Sequence, residues 1–158
     1  MTDASFEDGR EAPLNLGAED ADDLQVISTL SQDAVFPVTE MKWRPADRQF
    51  ALLLNRFRWE DKDAAAQRGR SFERVQSVLM FASVLSVASQ GIDRNDKDMI
   101  LSLLSIDFEP GEDGAGQILL TLAGDGAIKL RVEAVDATLK DVTRPYQAPS
   151  GHVPRHPE

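Results

Sequence analysis

The residue types best suited to chemistry crowd into one stretch of the chain. Trp43 and Arg44 precede a Pro45–Arg48 turn, and Arg56, Phe57, Arg58 and Trp59 follow it. In an extended strand Arg56 and Arg58 share one face, while Phe57 and Trp59 share the other. Guanidinium groups beside aromatic rings can grip phosphates, stack on bases or meet an acidic protein surface. Trp43, Arg44, Arg56, Arg58 and Trp59 are therefore the candidate binding residues. The competing assignment puts the rings in a core and the arginines in solvent or paired to the acidic helix. A formal net charge of -10 favours that second assignment, because nucleic-acid-binding domains are usually basic overall.

The charge is unevenly placed. Met1 to Leu24 holds eight acids and one base, and Lys42 to Arg58 holds five bases and one acid. The acidic start and the basic hairpin are expected to attract each other, within one molecule or between two.

Catalytic options are few. The chain has no cysteine, which removes disulfides, thiolate metal sites and a thiol nucleophile together. Its two histidines, His152 and His156, lie near the C-terminal end, so a histidine general base inside the domain is not expected. Gly111-Glu112-Asp113-Gly114-Ala115-Gly116 is Gly-rich but contains two acids and lacks the Lys-Ser or Lys-Thr of a phosphate-binding loop, so a hairpin loop is expected. Asp93 to Asp98 is rich in oxygen ligands but places Lys97 and Asp98 where a calcium loop needs a ligand and a glycine, so it reads as a solvated turn. The carboxylate pairs Asp107/Glu109 and Glu133/Asp136 would need burial to split their pKa values before doing acid–base work. They read as strand-end surface groups. No catalytic residue, metal ligand or cofactor is assigned.

The elements that must position the basic hairpin are mostly strands. Residues 1–12 are acidic and aperiodic and are expected to be disordered. Asp20, with Asp23 three residues on, caps a helix whose buried stripe is Leu24, Ile27, Leu30 and Ala34. Pro37 forbids its continuation. Val38–Arg44 and Gln49–Trp59 then form a hairpin around Pro45. Ser71–Gln90 is too long for one ordinary strand, so two strands or one bent strand are expected, with the break near residues 81–83 and a helix as the competing assignment. Strands follow over Met99–Phe108 and Gln117–Ala123. Ala127–Val135 alternates most clearly, with Ile128, Leu130, Val132 and Ala134 opposite Lys129, Arg131 and Glu133. Asp136–Val142 continues past a bulge. Residues 144–158 carry Pro145, Pro149, Pro154 and Pro157 and form a flexible or docked tail.

Several segments carry a family resemblance: Leu14–Val38, Met41–Glu60 with its Leu-Leu-Leu-Asn-Arg-Phe-Arg-Trp run, Arg74–Ile92, Leu101–Pro110 and Leu122–Ala134. Together they resemble the alphaproteobacterial family catalogued as domain of unknown function 2948. The resemblance implies one intracellular bacterial domain and brings no activity.

The expectation is an α+β domain over residues 13–143. It is mostly antiparallel sheet, with about six or seven strands in a meander that curls into a barrel or half-barrel and one N-terminal helix packed on it. The acidic polar start is unlike a secretory signal, and the longest apolar runs are far short of the roughly 20 residues that span a bilayer. A cytoplasmic location without membrane contact is expected. The best-supported function is a non-enzymatic binding or accessory module acting on a protein partner. A small-molecule-binding barrel or carboxylate-dependent enzyme comes second, and RNA binding through the Arg/Trp hairpin third.

Overall fold

The structure, a computed structural model, describes residues 13–61, 73–144 and 146–147. The expected disordered start and most of the proline-rich tail lie outside the described residues. Within that tail, Tyr146–Gln147 forms a short strand against Arg74 and Glu73.

Among the described residues one α-helix, α1 (Ala21–Leu30), accompanies eleven strands. In chain order these are β1 (Asn15–Ala18), β2 (Val35–Pro37), β3 (Met41–Arg44), β4 (Gln49–Phe57), β5 (Glu73–Phe81), β6 (Val84–Gln90), β7 (Ile100–Pro110), β8 (Gly116–Leu122), β9 (Ala127–Val132), β10 (Ala137–Asp141) and β11 (Tyr146–Gln147). The count exceeds the six or seven expected. The excess lies in β1, β2 and β11, which are four, three and two residues long, and in β10, which pairs with β1 and β5 as a separate strand instead of continuing β9 past a bulge. Strands that short carry too little alternation to be recognised. Val38–Glu40, expected to open a strand, is instead a single 3₁₀ turn between β2 and β3.

All strand pairs are antiparallel, and the sheet runs β1-β10-β5-β4-β2-β7-β8-β9-β6, with β3 beside β4 and β11 beside β5. Only Ala82 and Ser83 separate β5, third from one edge, from β6 at the other edge. A flat sheet cannot join those two places by two residues, so the sheet curls back on itself. The corner falls inside the expected break. Ser83 takes the left-handed conformation there, at φ 58°. Backbone bonds from Ala82 to Asp136, from Val84 to Arg48 and from Glu133 to Ser83 hold it, at 2.8, 2.9 and 3.0 Å. Among the described residues the curl stays open, because β6 pairs only with β9 and β3 only with β4.

The helix fills one side of the curl. Asp20 accepts a bond from the Asp23 backbone N–H at 2.8 Å, and Asp22 and Asp23 stand at the positive end of the dipole. Leu24 and Ile27 are fully buried. The Ile106 N–H donates to the Ser28 hydroxyl at 2.8 Å, and the Gln25 amide donates to the Ile106 carbonyl at 3.1 Å. The helix is therefore anchored to β7. Inside the curl, Phe36, Leu54, Leu79, Leu103, Ile106 and Leu120 are each 0% exposed, so side chains fill the interior. No helix among the described residues is long and apolar enough to cross a membrane.

Candidate functional site

Strand alternation decides the fate of the basic hairpin. On β4 the inward positions are Phe50, Leu52, Leu54 and then Arg56. On β5 they are Phe81, Leu79, Ser77 and Val75, and on β10 Ala137, Leu139 and Asp141. Three apolar rows thus reach a polar residue near the same end of the sheet, where Ser77 stands opposite Asp141. Arg56 Nη2 donates to Asp141 Oδ1 at 2.9 Å, and Arg56 Nε donates to Ser77 Oγ at 3.0 Å. Ser77 Oγ in turn donates to Asp141 Oδ1 at 2.7 Å. Glu60 closes the cluster with two bonds of 2.9 Å to Nη1 and Nη2, and the Phe57 carbonyl accepts at 3.1 Å. Asp141 also accepts from the Leu14 backbone N–H at 2.9 Å, which ties β1 to the cluster.

Arg56 is 0% exposed. Burial by itself lowers the pKa of its guanidinium. The bonds and charge of Glu60, followed by those of Asp141, outweigh that, and the net shift is upward. The partners are Glu60, Asp141 and Ser77, and the acids of α1 are not among them, because that helix is anchored to β7. This corrects the expectation that Arg56 pairs with the acidic helix, while Asp3, Glu7, Asp8 and Glu11 lie outside the described residues. Arg58 is also buried and donates to Glu73 at 2.6 Å. Phe57 is buried too, with the Arg74 guanidinium 3.9 Å above its ring centroid. The half-buried Trp59 donates its indole N–H to the Gln32 carbonyl at 2.9 Å.

Trp43 and Arg44 are placed elsewhere. Arg44 is exposed at the end of β3. Trp43 stands half-buried in a cleft of about 130 Å³ between β3 and β6. Val38, Met41, Trp43, Phe50, Val87 and Ile128 form its apolar wall, and Ser89 and Arg94 supply its polar groups. The cleft is the seam of the open curl. Val87 and Ser89 stand opposite Leu130 and Ile128 and share their inward face. Leu130 and Ile128 are buried, yet Val87 is only half-buried and Ser89 is exposed. No strand among the described residues covers that side of β6. The sequence reading reached Trp43 and missed the other lining residues, because they come from five separate segments.

The remaining candidates stay ordinary. Gly111 and Ala115 close a hairpin loop through a 2.7 Å backbone bond, and Gly114 takes φ +82°. Asp93 and Asp96 accept from the Asn95 and Asp98 backbone N–H groups at 2.9 and 3.2 Å, the local turns of a solvated loop. Asp107, Glu109, Glu133 and Asp136 are exposed, and Glu133 pairs with Arg48 at 2.6 Å.

A family model described as a protein of unknown function, DUF2948, matches residues 14–156. The chain belongs to the DUF2948 family. No curated protein and no solved structure matches it. In this DUF2948 chain the matched region takes in both the Arg56 cluster and the β3–β6 cleft. The family description assigns neither a role, so the chemistry of each must be argued from its geometry.

Proposed function

We propose that this chain is a non-enzymatic binding module that engages a protein partner at the cleft between β3 and β6. The observation that carries the reading is the open seam. It combines an apolar wall, a half-buried tryptophan and two strand edges without a strand neighbour among the described residues. Tryptophan and arginine are the residue types most enriched in the energetic centres of protein interfaces, and Trp43 and Arg94 both line this cleft. The same chain places Arg56 and Arg58 inside the fold, where ion pairs occupy them. A small-molecule pocket typically needs roughly 300–1,000 Å³, more than this cleft offers.

The test is a photo-crosslinking amino acid at Ser89, in cells that naturally make the protein. A discrete protein adduct is expected, lost with Trp43→Ala and absent when the crosslinker sits at Lys129 on the outward face of β9. Equal labelling from both positions, or turnover of a metabolite by the pure protein, overturns the reading.

A further inference from the structure

Edge strands in natural proteins are usually defended. They are short, carry charges or proline, or lie under another element, because an open row of N–H and C=O groups invites another chain. Two edges of this sheet follow that rule. β1 is four residues long, contains Gly17 and lies beside α1. β3 is also four residues long and carries Lys42 and Arg44. β6 does not follow it. Its seven residues, Val-Leu-Ser-Val-Ala-Ser-Gln, contain neither charge nor proline, and Leu85 on it is 37% exposed. This is the strand whose inward residues Val87 and Ser89 have no covering layer among the described residues.

Beyond Val84, whose N–H donates to the Arg48 carbonyl, no described residue fills the backbone edge or covers the inward face of β6 at this place. One extended chain satisfies both, since its backbone can pair with the edge while alternate side chains turn into the cleft. The volume of about 130 Å³ is close to that of an apolar cavity of about 150 Å³ that admits a benzene ring. It therefore suits one large apolar side chain. Arg94 is the one charged residue on the lining, and among the described residues it makes no ion pair. A carboxylate two positions along a paired strand lies on the same face as the apolar anchor and can meet it.

We propose that the partner binds as an added strand on β6, placing a Phe, Leu or Met side chain in the cleft and an Asp or Glu two residues away against Arg94. The proposal rests on the cleft being the binding site, as argued above. A displayed library of random twelve-residue peptides is selected against the full chain. Enriched peptides are expected to share that spacing. One of them, added as a synthetic peptide, slows amide exchange across Ser86–Gln90 at least about tenfold, as backbone pairing requires. Arg94→Glu weakens it about fivefold, the scale of an exposed ion pair, and a lysine in place of the peptide's acid restores the loss.

Binding that requires Trp43 but leaves β6 exchange unchanged overturns strand addition while the cleft reading survives. Binding indifferent to Trp43→Ala, or a selection that enriches nothing, overturns both. If the β6 amides that point away from β9 are already protected without peptide, the added-partner proposal fails. Protection that grows with protein concentration assigns the edge to a second copy, and protection lost on deleting residues 1–12 assigns it to the chain itself.

Discussion

Arginine and tryptophan occur together at two places in this molecule and are used in opposite ways. At one end of β4, Arg56 is sealed among Glu60, Asp141 and Ser77, and nearby Trp59 spends its indole N–H on the Gln32 carbonyl. In the β3–β6 cleft, Trp43 is half-buried with one side open, and Arg94 is exposed. Identical residue types therefore do not announce a site. What separates the two places is the backbone around them. Around Arg56, four strands pair continuously from β1 through β10 and β5 to β4, so a charge there must find partners within the fold. Around Arg94 the sheet ends, and water or another chain can supply what the fold does not.

Among the partners of Arg56, that contrast can be broken most forcefully at Asp141. Asp141→Ala removes the buried partner of Arg56, and the loss of stability is expected to be about 3 kcal/mol, read as a lower urea midpoint. A loss near zero would mean that Glu60 alone satisfies the guanidinium. Ser77→Ala keeps the ion pair but strips a bond from each partner. It is expected to cost about 1–2 kcal/mol in the same assay. Trp43→Ala sharpens the other side of the comparison. It removes a half-buried ring and should cost about 1 kcal/mol of stability while abolishing crosslinking from Ser89. The exposed Arg48–Glu133 pair is the smallest case. Arg48→Ala is expected to change stability by less than about 1 kcal/mol and to show little further dependence on salt.

The sequence was most legible where one rule governed a whole segment. The α1 cap at Asp20, the break at residues 81–83 and the β9 alternation as far as Val132 were each readable, because a single local preference decided them; beyond Val132 the strand ends and Ala134 is exposed. β1 and β2 were not, since strands of three or four residues take their conformation from their neighbours rather than from their own pattern. The Arg56 cluster was half legible. Phe50, Leu52 and Leu54 alternate inward, and carrying that phase two residues further places Arg56 inside. Positive charge argued against burial and hid the signal. Its partner Asp141 lies 85 positions away along the chain, and only register brings the two together. The cleft was least legible, since it is defined by where pairing stops. Its one local sign was an uncharged edge strand, Val84–Gln90, in a chain that is 28% charged.

The most direct test compares the two arginines by equilibrium unfolding in urea. Arg56→Ala is expected to lower stability by about 3–5 kcal/mol, because it leaves buried carboxylate oxygens without their cation. Arg94→Ala is expected to stay within about 0.5 kcal/mol of the parent, as a substitution at an exposed position does. Equal losses for the two variants, or a larger loss at Arg94, would contradict the division of the molecule into an end that holds the fold and an end left open for a partner.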